Sequence, residues 1–139
     1  MEKLLKQSGK GRITNIDKPT QILTASKTLA VTDAGKDFHI GTDGLTITLP
    51  AITAAMYGIT YGFTNIGADG NNVINISPAT ADGMHGTITL AASVVELSGT
   101  ANKDLINTKA SATTGNHVLI QATSIGWFVK YSTGIWASE

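Results

Sequence analysis

Apolar residues alternate with threonine, asparagine and other small polar residues along most of the chain from Leu45 onward. At residues 45–49 the two leucines and Ile47 share one face, and Thr46 and Thr48 share the other. A period of two indicates a half-buried β-strand, and threonine and isoleucine favour the pleated backbone. The same alternation predicts further strands within residues 59–64, 74–77, 87–90, 117–121 and 127–131.

Turn sequences separate these segments. Pro50 and Pro78 each follow a predicted strand, where a missing amide donor ends the pairing. Turns at intervals of about ten to fifteen residues are typical of a sandwich or barrel. The pattern predicts an all-β fold, an antiparallel β-sandwich or jelly-roll-like domain with an extended N-terminal arm. The predicted tight turns are Asp43-Gly44, Asp69-Gly70, Asp82-Gly83, Gly115-Asn116 and Thr133-Gly134.

Two short segments have weak helical character. Residues 1–7 contain the apolar Leu4 and Leu5 and predict one or two basic helical turns. Residues 102–109 predict another turn, with Asn102 as the cap and Leu105 and Ile106 directed inward. Helices of this length are not stable alone in water, so both depend on packing against the rest of the protein.

The charges divide the chain into two parts. Residues 1–36 hold seven basic and three acidic residues, a net charge of +4, whereas residues 37–139 hold three basic and seven acidic residues, a net charge of −4. We therefore predict a basic N-terminal attachment arm at 1–36 and a β-sandwich domain at 37–139. The arm is interpreted as adding a strand to another protein, or alternatively as a disordered leader before an ordinary first strand.

Composition argues against several classes of function. The chain has no cysteine, which excludes disulfides, thiolate catalysis and cysteine-ligated metals. Three isolated histidines lack metal-ligand spacing, and no nucleophile elbow or phosphate-binding glycine pattern occurs. Residues His39 and Asp37 should share the solvent-facing side of a strand, His85 should lie in a glycine-flanked turn, and His117 should open a strand. We expect neither an enzyme nor a bound cofactor or metal.

Localisation signals are also missing from the sequence. No apolar run reaches the roughly 18 residues of a membrane span, and the N-terminal residues lack the apolar block of a signal peptide. The basic segment has no aromatic residue before Phe38, which argues against nucleic-acid binding. The expectation is a protein without nucleic-acid or membrane partners.

A set of ordered motifs between residues 43 and 136 resembles the small β-rich domains of tailed-phage particle proteins. Such domains are found in head decoration proteins, head fibres and tail fibres. The absence of repeats and of a coiled-coil stalk makes a compact decoration protein the better fit than a long fibre. The motifs are GLTITLPA at 44–51, YGFTN at 61–65, INISP at 74–78, DGMHG at 82–86, GWFV at 126–129 and TGIW at 133–136.

The resemblance implies a non-catalytic structural protein, usually a homotrimer, on the outer surface of a capsid and made in the host cytoplasm. Its partner would be the major capsid protein, with the cations of the arm steering the encounter and its leucines becoming buried. The predicted contact residues are Lys3, Leu4, Leu5, Lys6, Lys10 and Arg12.

The alternative is a receptor- or glycan-binding tip module, in which Trp127 and Trp136 would be exposed platforms for sugar rings. The competing interpretation, which we favour, places Trp127 in the core beside Val129 and Trp136 at the end of the domain or in a trimer seam. A hydrolase acting on a surface polymer is disfavoured because no acid–base pair can be recognised.

Overall fold

The protein folds as two mixed β-sheets with almost no helix, which confirms the all-β prediction. The computed structural model describes residues 20–70 and 73–139. Short 3-10 turns occur at Val31–Asp33 and Ala54–Met56. The strands of the described residues are β1 (Thr20–Leu23), β2 (Lys27–Thr28), β3 (Asp37–Ile40), β4 (Leu45–Thr48), β5 (Thr60–Asn65), β6 (Ile74–Ser77), β7 (Gly83–Leu90), β8 (Ser93–Ala101), β9 (Leu105–Asn107), β10 (His117–Thr123), β11 (Gly126–Thr133) and β12 (Ala137–Ser138).

Successive strands in the first half of the chain alternate between the sheets. The seven-stranded sheet has the order β1-β3-β5-β10-β11-β7-β8, and the five-stranded sheet has the order β12-β9-β6-β4-β2. Odd strands β1, β3 and β5 therefore stack in parallel in one sheet, and even strands β2, β4 and β6 stack in parallel in the other. The expectation of purely antiparallel pairing is wrong, because half of the ten strand pairs in the described residues are parallel.

The Asp-Gly turns explain this connectivity. Gly44 and Gly70 have the positive φ angles expected of them, 78° and 71°. The Asp43-Gly44 turn nevertheless joins β3 in one sheet to β4 in the other, so it does not form a hairpin. The carboxylate of Asp43 accepts a hydrogen bond from the amide of Val73 (2.9 Å) and forms an ion pair with the ammonium group of Lys109 (2.6 Å). These two contacts hold the turn against the connection before β6 and the connection after β9.

The predicted helical turn at residues 102–109 is wrong. Asn102 has a positive φ of 59°, and residues Leu105–Asn107 form β9, which pairs with β6 and β12. The alternation does not predict the preceding strand β8, because its nine residues are mostly exposed and the consecutive Val94 and Val95 interrupt the short alternation of Val95 and Leu97. The other helical prediction, at residues 1–7, lies outside the described residues.

One hydrophobic cluster receives side chains from both sheets. Phe38 of β3 and Phe63 of β5 stack with ring centroids 5.8 Å apart, and Tyr61 contacts Trp127 with centroids 5.6 Å apart. Every one of the six strand segments predicted by alternation contributes to this cluster. Two residues that the alternation directs inward are exposed instead: Leu90, and Tyr131, which lies where the pairing of β10 with β11 shifts register. The fully buried larger members of the cluster include Trp127, Trp136, Tyr61, Phe38, Phe63, Ile40, Ile47, Leu49, Ile74, Ile76, Met84 and Leu105.

Residues 20–36, which the charge pattern assigns to the arm, pack with the two sheets. Leu23 and Leu29 belong to the buried cluster. The hydroxyl of Tyr61 donates a hydrogen bond to the carbonyl of Ala30 (2.7 Å), which fixes the chain after β2 against β5. Burial raises the pKa of Tyr61 to about 12, with a smaller contribution from Asp33.

Asp33 anchors the 3-10 turn that follows β2. Its Oδ2 accepts a hydrogen bond from the Ala30 amide (3.0 Å), and its carboxylate lies 3.1 Å from Lys36 Nζ and 3.7 Å from Lys27 Nζ. Desolvation opposes ionisation of this carboxyl, but the Ala30 amide and the two ammonium groups outweigh it and lower the pKa of Asp33.

Three buried asparagines connect the two sheets by side-chain hydrogen bonds. Asn65, at the end of β5, donates to the side-chain oxygen of Asn107 in β9 (2.8 Å). Asn107 in turn donates to the side-chain oxygen of Asn116 (3.1 Å) and to the carbonyl of Ile135 (2.9 Å). Asn116 also bonds to the backbone amide and hydroxyl of Thr113. Buried amides are tolerated only when they are paired in this way.

Replacing Asn107 by alanine should destabilise the protein by about 3 kcal/mol, because it removes three buried hydrogen bonds worth about 1 kcal/mol each. The measurement is urea unfolding followed by circular dichroism. The matched control is Asn75→Ala on the half-exposed side of β6, which should change the free energy of unfolding by less than about 0.5 kcal/mol. Equal effects at the two positions would contradict a stabilising role for the asparagine network.

Asp33→Asn should reduce the free energy of unfolding at pH 7 and should make it vary less with pH in the acidic range. Because the pKa of Asp33 is lowered in the folded state, its contribution is complete above the unfolded-state value of about 4 and is lost as the pH falls below it. Urea unfolding at pH 7, 5 and 3 should show that the difference in free energy of unfolding between the wild type and Asp33→Asn becomes smaller as the pH falls. A gap that stays constant across this range would be inconsistent with the proposed ion pairs.

Candidate functional site

The six residues predicted to contact a capsid lie outside the described residues. Lys3, Leu4, Leu5, Lys6, Lys10 and Arg12 precede Thr20, the first residue that the structure describes. The described part of the chain begins at Thr20. That point is β1, an edge strand of the seven-stranded sheet.

The two tryptophans are core residues and are unavailable as exposed sugar platforms. Both side chains are 0% exposed. Trp127 packs against Tyr61, and its indole nitrogen has no hydrogen-bond partner in the described part of the chain. Trp136 donates from its indole nitrogen to the carbonyl of Thr133 (3.0 Å). The exposed-platform interpretation is therefore wrong, and the core interpretation of Trp127 is confirmed.

A polar network lies across β3, β5 and β10 on the outer face of the seven-stranded sheet. Asp37 Oδ2 lies 2.9 Å from His39 Nε2, as the alternation predicts for two residues on one side of a strand. Thr64 donates from its hydroxyl to both oxygens of Asp37 (3.0 and 3.1 Å), and the same hydroxyl lies 2.8 Å from His117 Nδ1. Gly62 leaves room for these groups, since a Cβ there would lie 3.0 Å from Asp37 Oδ1.

This network has the geometry of a hydrogen-bonded ladder. In a nucleophilic triad the carboxylate contacts the far nitrogen of the histidine that activates the hydroxyl. Here Asp37 Oδ1 lies 3.8 Å from Nδ1 of His117, the same nitrogen that contacts Thr64. The hydroxyl of Thr64 therefore links the imidazole and the carboxylate. In residues 20–70 and 73–139, no group of three or more acidic or histidine side chains is arranged to hold a metal ion.

His85 lies within β7, so its predicted placement in a turn is wrong. Its ring packs directly on the backbone of β8, where a side chain at Gly99 would overlap the imidazole. A Cβ at Gly126 would lie 2.9 Å from the ring as well. The glycines around His85 allow close contact between strands, a use of glycine that sequence alone does not separate from a turn. His117 does open a strand, β10, as predicted.

The two edge strands of the larger sheet carry strongly exposed apolar residues. On β1 the side chain of Ile22 is 65% exposed, and on β8 the side chain of Val94 is 72% exposed. The nine residues of β8 contain one charged residue, Glu96, and no proline. Natural edge strands usually carry charges or proline that prevent pairing with other chains. This edge lacks most of that protection.

A groove of about 270 Å³ runs beside β8. It is lined in part by Leu97, Lys103 and Glu139, together with Glu96. The groove is open and mainly polar. Its side chains can form hydrogen bonds and ion pairs with a docked polypeptide.

Phenylalanine substitutions at the two tryptophans should have unequal effects on stability. Both remove similar volume, but only Trp136→Phe also removes a hydrogen bond, whereas Trp127→Phe removes a buried donor that has no partner. We expect Trp136→Phe to be more destabilising by about 1 kcal/mol or more. Urea unfolding followed by far-ultraviolet circular dichroism measures the difference, and the reverse order would contradict this assignment.

Comparisons with family models and with curated proteins identify no family for this chain. No helix in residues 20–70 and 73–139 is long and apolar enough to cross a membrane. No family model matches the chain, and no curated protein matches it in sequence. The function is therefore inferred from the residues themselves.

Proposed function

We propose that this protein is a structural virion protein that decorates a phage capsid by binding the major capsid protein as a homotrimer. The observation that carries the proposal is the separation of charge between the described domain and the segment before it. Residues 1–19 hold five basic and two acidic residues, a net charge of +3, and residues 20–139 hold five basic and eight acidic residues, a net charge of −3. Such a segment favours attachment to an acidic surface.

The polar groups of the described domain support a structural role. The larger polar clusters are engaged in holding strands together: Asp33 binds two lysines, the asparagines bind one another, and Asp37 binds Thr64 and His39. The grooves on the described surface are open. This arrangement suits recognition of a protein surface better than enclosure of a small substrate.

The arrangement of the two sheets is part of the same proposal. We infer that the two sheets face each other as the layers of a β-sandwich, and the support is the single hydrophobic cluster to which both contribute. The resemblance to phage head decoration and head-fibre domains fits this arrangement. The parallel stacks β1-β3-β5 and β2-β4-β6 would distinguish it from an antiparallel jelly roll.

Attachment would combine two forces. Lys3, Lys6, Lys10 and Arg12 would steer the arm toward an acidic capsid surface, and Leu4 and Leu5 would become buried on contact. Because a capsid presents many identical sites, three linked arms would bind tightly through avidity even when each arm binds weakly.

The second candidate is a receptor- or glycan-binding tip, and an exposed tyrosine ring beside a half-buried histidine favours it. Tyr131 is 55% exposed, and its ring centroid lies 5.5 Å from that of His117, beside the carboxylate of Asp37. Exposed aromatic rings next to a carboxylate are a common arrangement for sugar contacts. Binding to a glycan array that is lost in Tyr131→Ala would favour this candidate over the decoration role.

Deleting residues 1–12 should abolish binding to empty heads assembled from the major capsid protein of the same genome. The deletion ends eight positions before Thr20 and leaves every described strand intact, so the circular dichroism spectrum should be unchanged. Cosedimentation of labelled protein with heads measures binding, and undiminished binding would reject the proposed attachment.

Two full-length variants separate the forces. Changing Lys3, Lys6, Lys10 and Arg12 to glutamine should weaken binding and remove most of its salt dependence. Changing Leu4 and Leu5 to serine should weaken binding but leave the salt dependence in place. Loss of salt dependence in the leucine variant would contradict the assigned roles.

A further inference from the structure

The larger sheet has two open edges in the described residues, β1 at one side and β8 at the other. We propose that copies of this chain join head to tail, with β1 of one copy pairing in antiparallel fashion with β8 of the next. The inference rests on the proposed homotrimer and names the interface that builds it. Three such contacts would close a ring, which an interface between two different surfaces can do.

The strand directions allow this pairing. Strands β1, β3 and β5 are parallel, β10 is antiparallel to β5, β11 is antiparallel to β10, β7 is parallel to β11, and β8 is antiparallel to β7. Strand β8 therefore runs opposite to β1 within one copy. Copies related by a rotation axis along the strands keep these directions, so β8 of one copy meets β1 of the next in the antiparallel arrangement.

The free backbone groups of β8 can be located from its hairpin with β7. Leu90 and Ser93 are paired across the two-residue turn, and the next pairs are Thr89 with Val94 and Ile88 with Val95. In such a hairpin the residues that flank the turn are hydrogen-bonded to each other, and the bonded and non-bonded pairs alternate outward. The N–H and C=O of Val94 therefore point to the open edge.

The charges near the two edges are complementary. Strand β1 is itself uncharged, and residues 20–36 hold two basic residues and one acidic residue, a net charge of +1; among them Lys36 donates to Gln21 of β1 (3.4 Å). Strand β8 carries Glu96, which lines the same groove as Glu139 and Lys103, so the charged side chains of this groove sum to −1. A head-to-tail contact brings the basic part of one copy to an acidic edge of the next, and this favours a second copy of the chain as the occupant.

The competing pairing of β8 with β8 is less favourable. Around a twofold axis near the middle of the strand it would bring the two Glu96 carboxylates close together, and like charges on neighbouring strands are destabilising. It would also leave β1 open in both copies. Exposed apolar residues, Ile22 on β1 and Val94 on β8, would be covered together only in the head-to-tail contact.

Sedimentation velocity tests whether the open edge of β8 holds the copies together. Val94→Lys places a charge on this edge and should shift the protein from trimer to monomer, with at least a tenfold weaker association. The control Ile66→Lys changes a residue that is 42% exposed, just after the central strand β5, and should leave the trimer intact. Thermal unfolding of both variants verifies folding. A wild-type monomer, or a Val94→Lys trimer, would overturn the proposal.

Thiol cross-linking identifies the strands in contact, because the chain has no cysteine of its own. Ile22→Cys and Val94→Cys proteins, unfolded together and refolded as a mixture, should give cross-linked pairs containing one copy of each when treated with a short bis-maleimide. The Val94→Cys protein alone should give none, and the double variant should give a covalent trimer. Dimers from Val94→Cys alone would show the β8–β8 contact and overturn the proposal.

The same proteins separate this inference from the proposed function. A monomer that binds empty heads would overturn the edge pairing and support capsid attachment. A trimer cross-linked through Ile22→Cys and Val94→Cys that does not bind heads would support the pairing and reject the attachment.

Discussion

The fold depends on one apolar layer that two sheets share. Phe38 and Ile40 enter it from β3, and Ile47 enters it from β4 in the other sheet. A shift of one residue in any of these strands would direct the apolar side chains to solvent and the polar side chains into the core, so the alternation fixes the register. The first half of the chain can meet this constraint while crossing between the sheets at each turn, because each short strand alternates independently. Parallel stacking follows from those crossings.

The alternation predicts the strands better than it predicts their partners. It locates six strands, since most of their inward residues are regularly spaced and buried; Leu90 and Tyr131 are the exposed members of that pattern. It does not distinguish a turn between sheets from a hairpin, because both use a glycine with positive φ, as Gly44 shows. The alternation does not predict strand β8, because an edge strand buries few side chains and therefore needs little inward periodicity. The asparagine network escapes because Asn65, Asn107 and Asn116 are far apart in sequence.

For the candidate sites, local pattern is informative only where a side chain's neighbours belong to its own strand. Asp37 and His39 are two residues apart, and their contact follows from period two alone. The addition of Thr64 and His117 to the same ladder requires the order of β3, β5 and β10, which is a tertiary property. The predicted contact residues from Lys3 to Arg12 precede the described fold, so their role stays a prediction.

The pairing of charges within the described domain bears on how it meets other proteins. Lys27 and Lys36 bind Asp33, and Lys109 binds Asp43, so three of the five cations in residues 20–139 are engaged locally. Of the other two, Lys130 lies 6.0 Å from the ring of Phe128 and Lys103 lines the groove with Glu96. The described surface therefore offers little positive charge to an acidic partner. If the protein binds an acidic surface by electrostatic attraction, the five basic residues before Thr20 must supply that attraction.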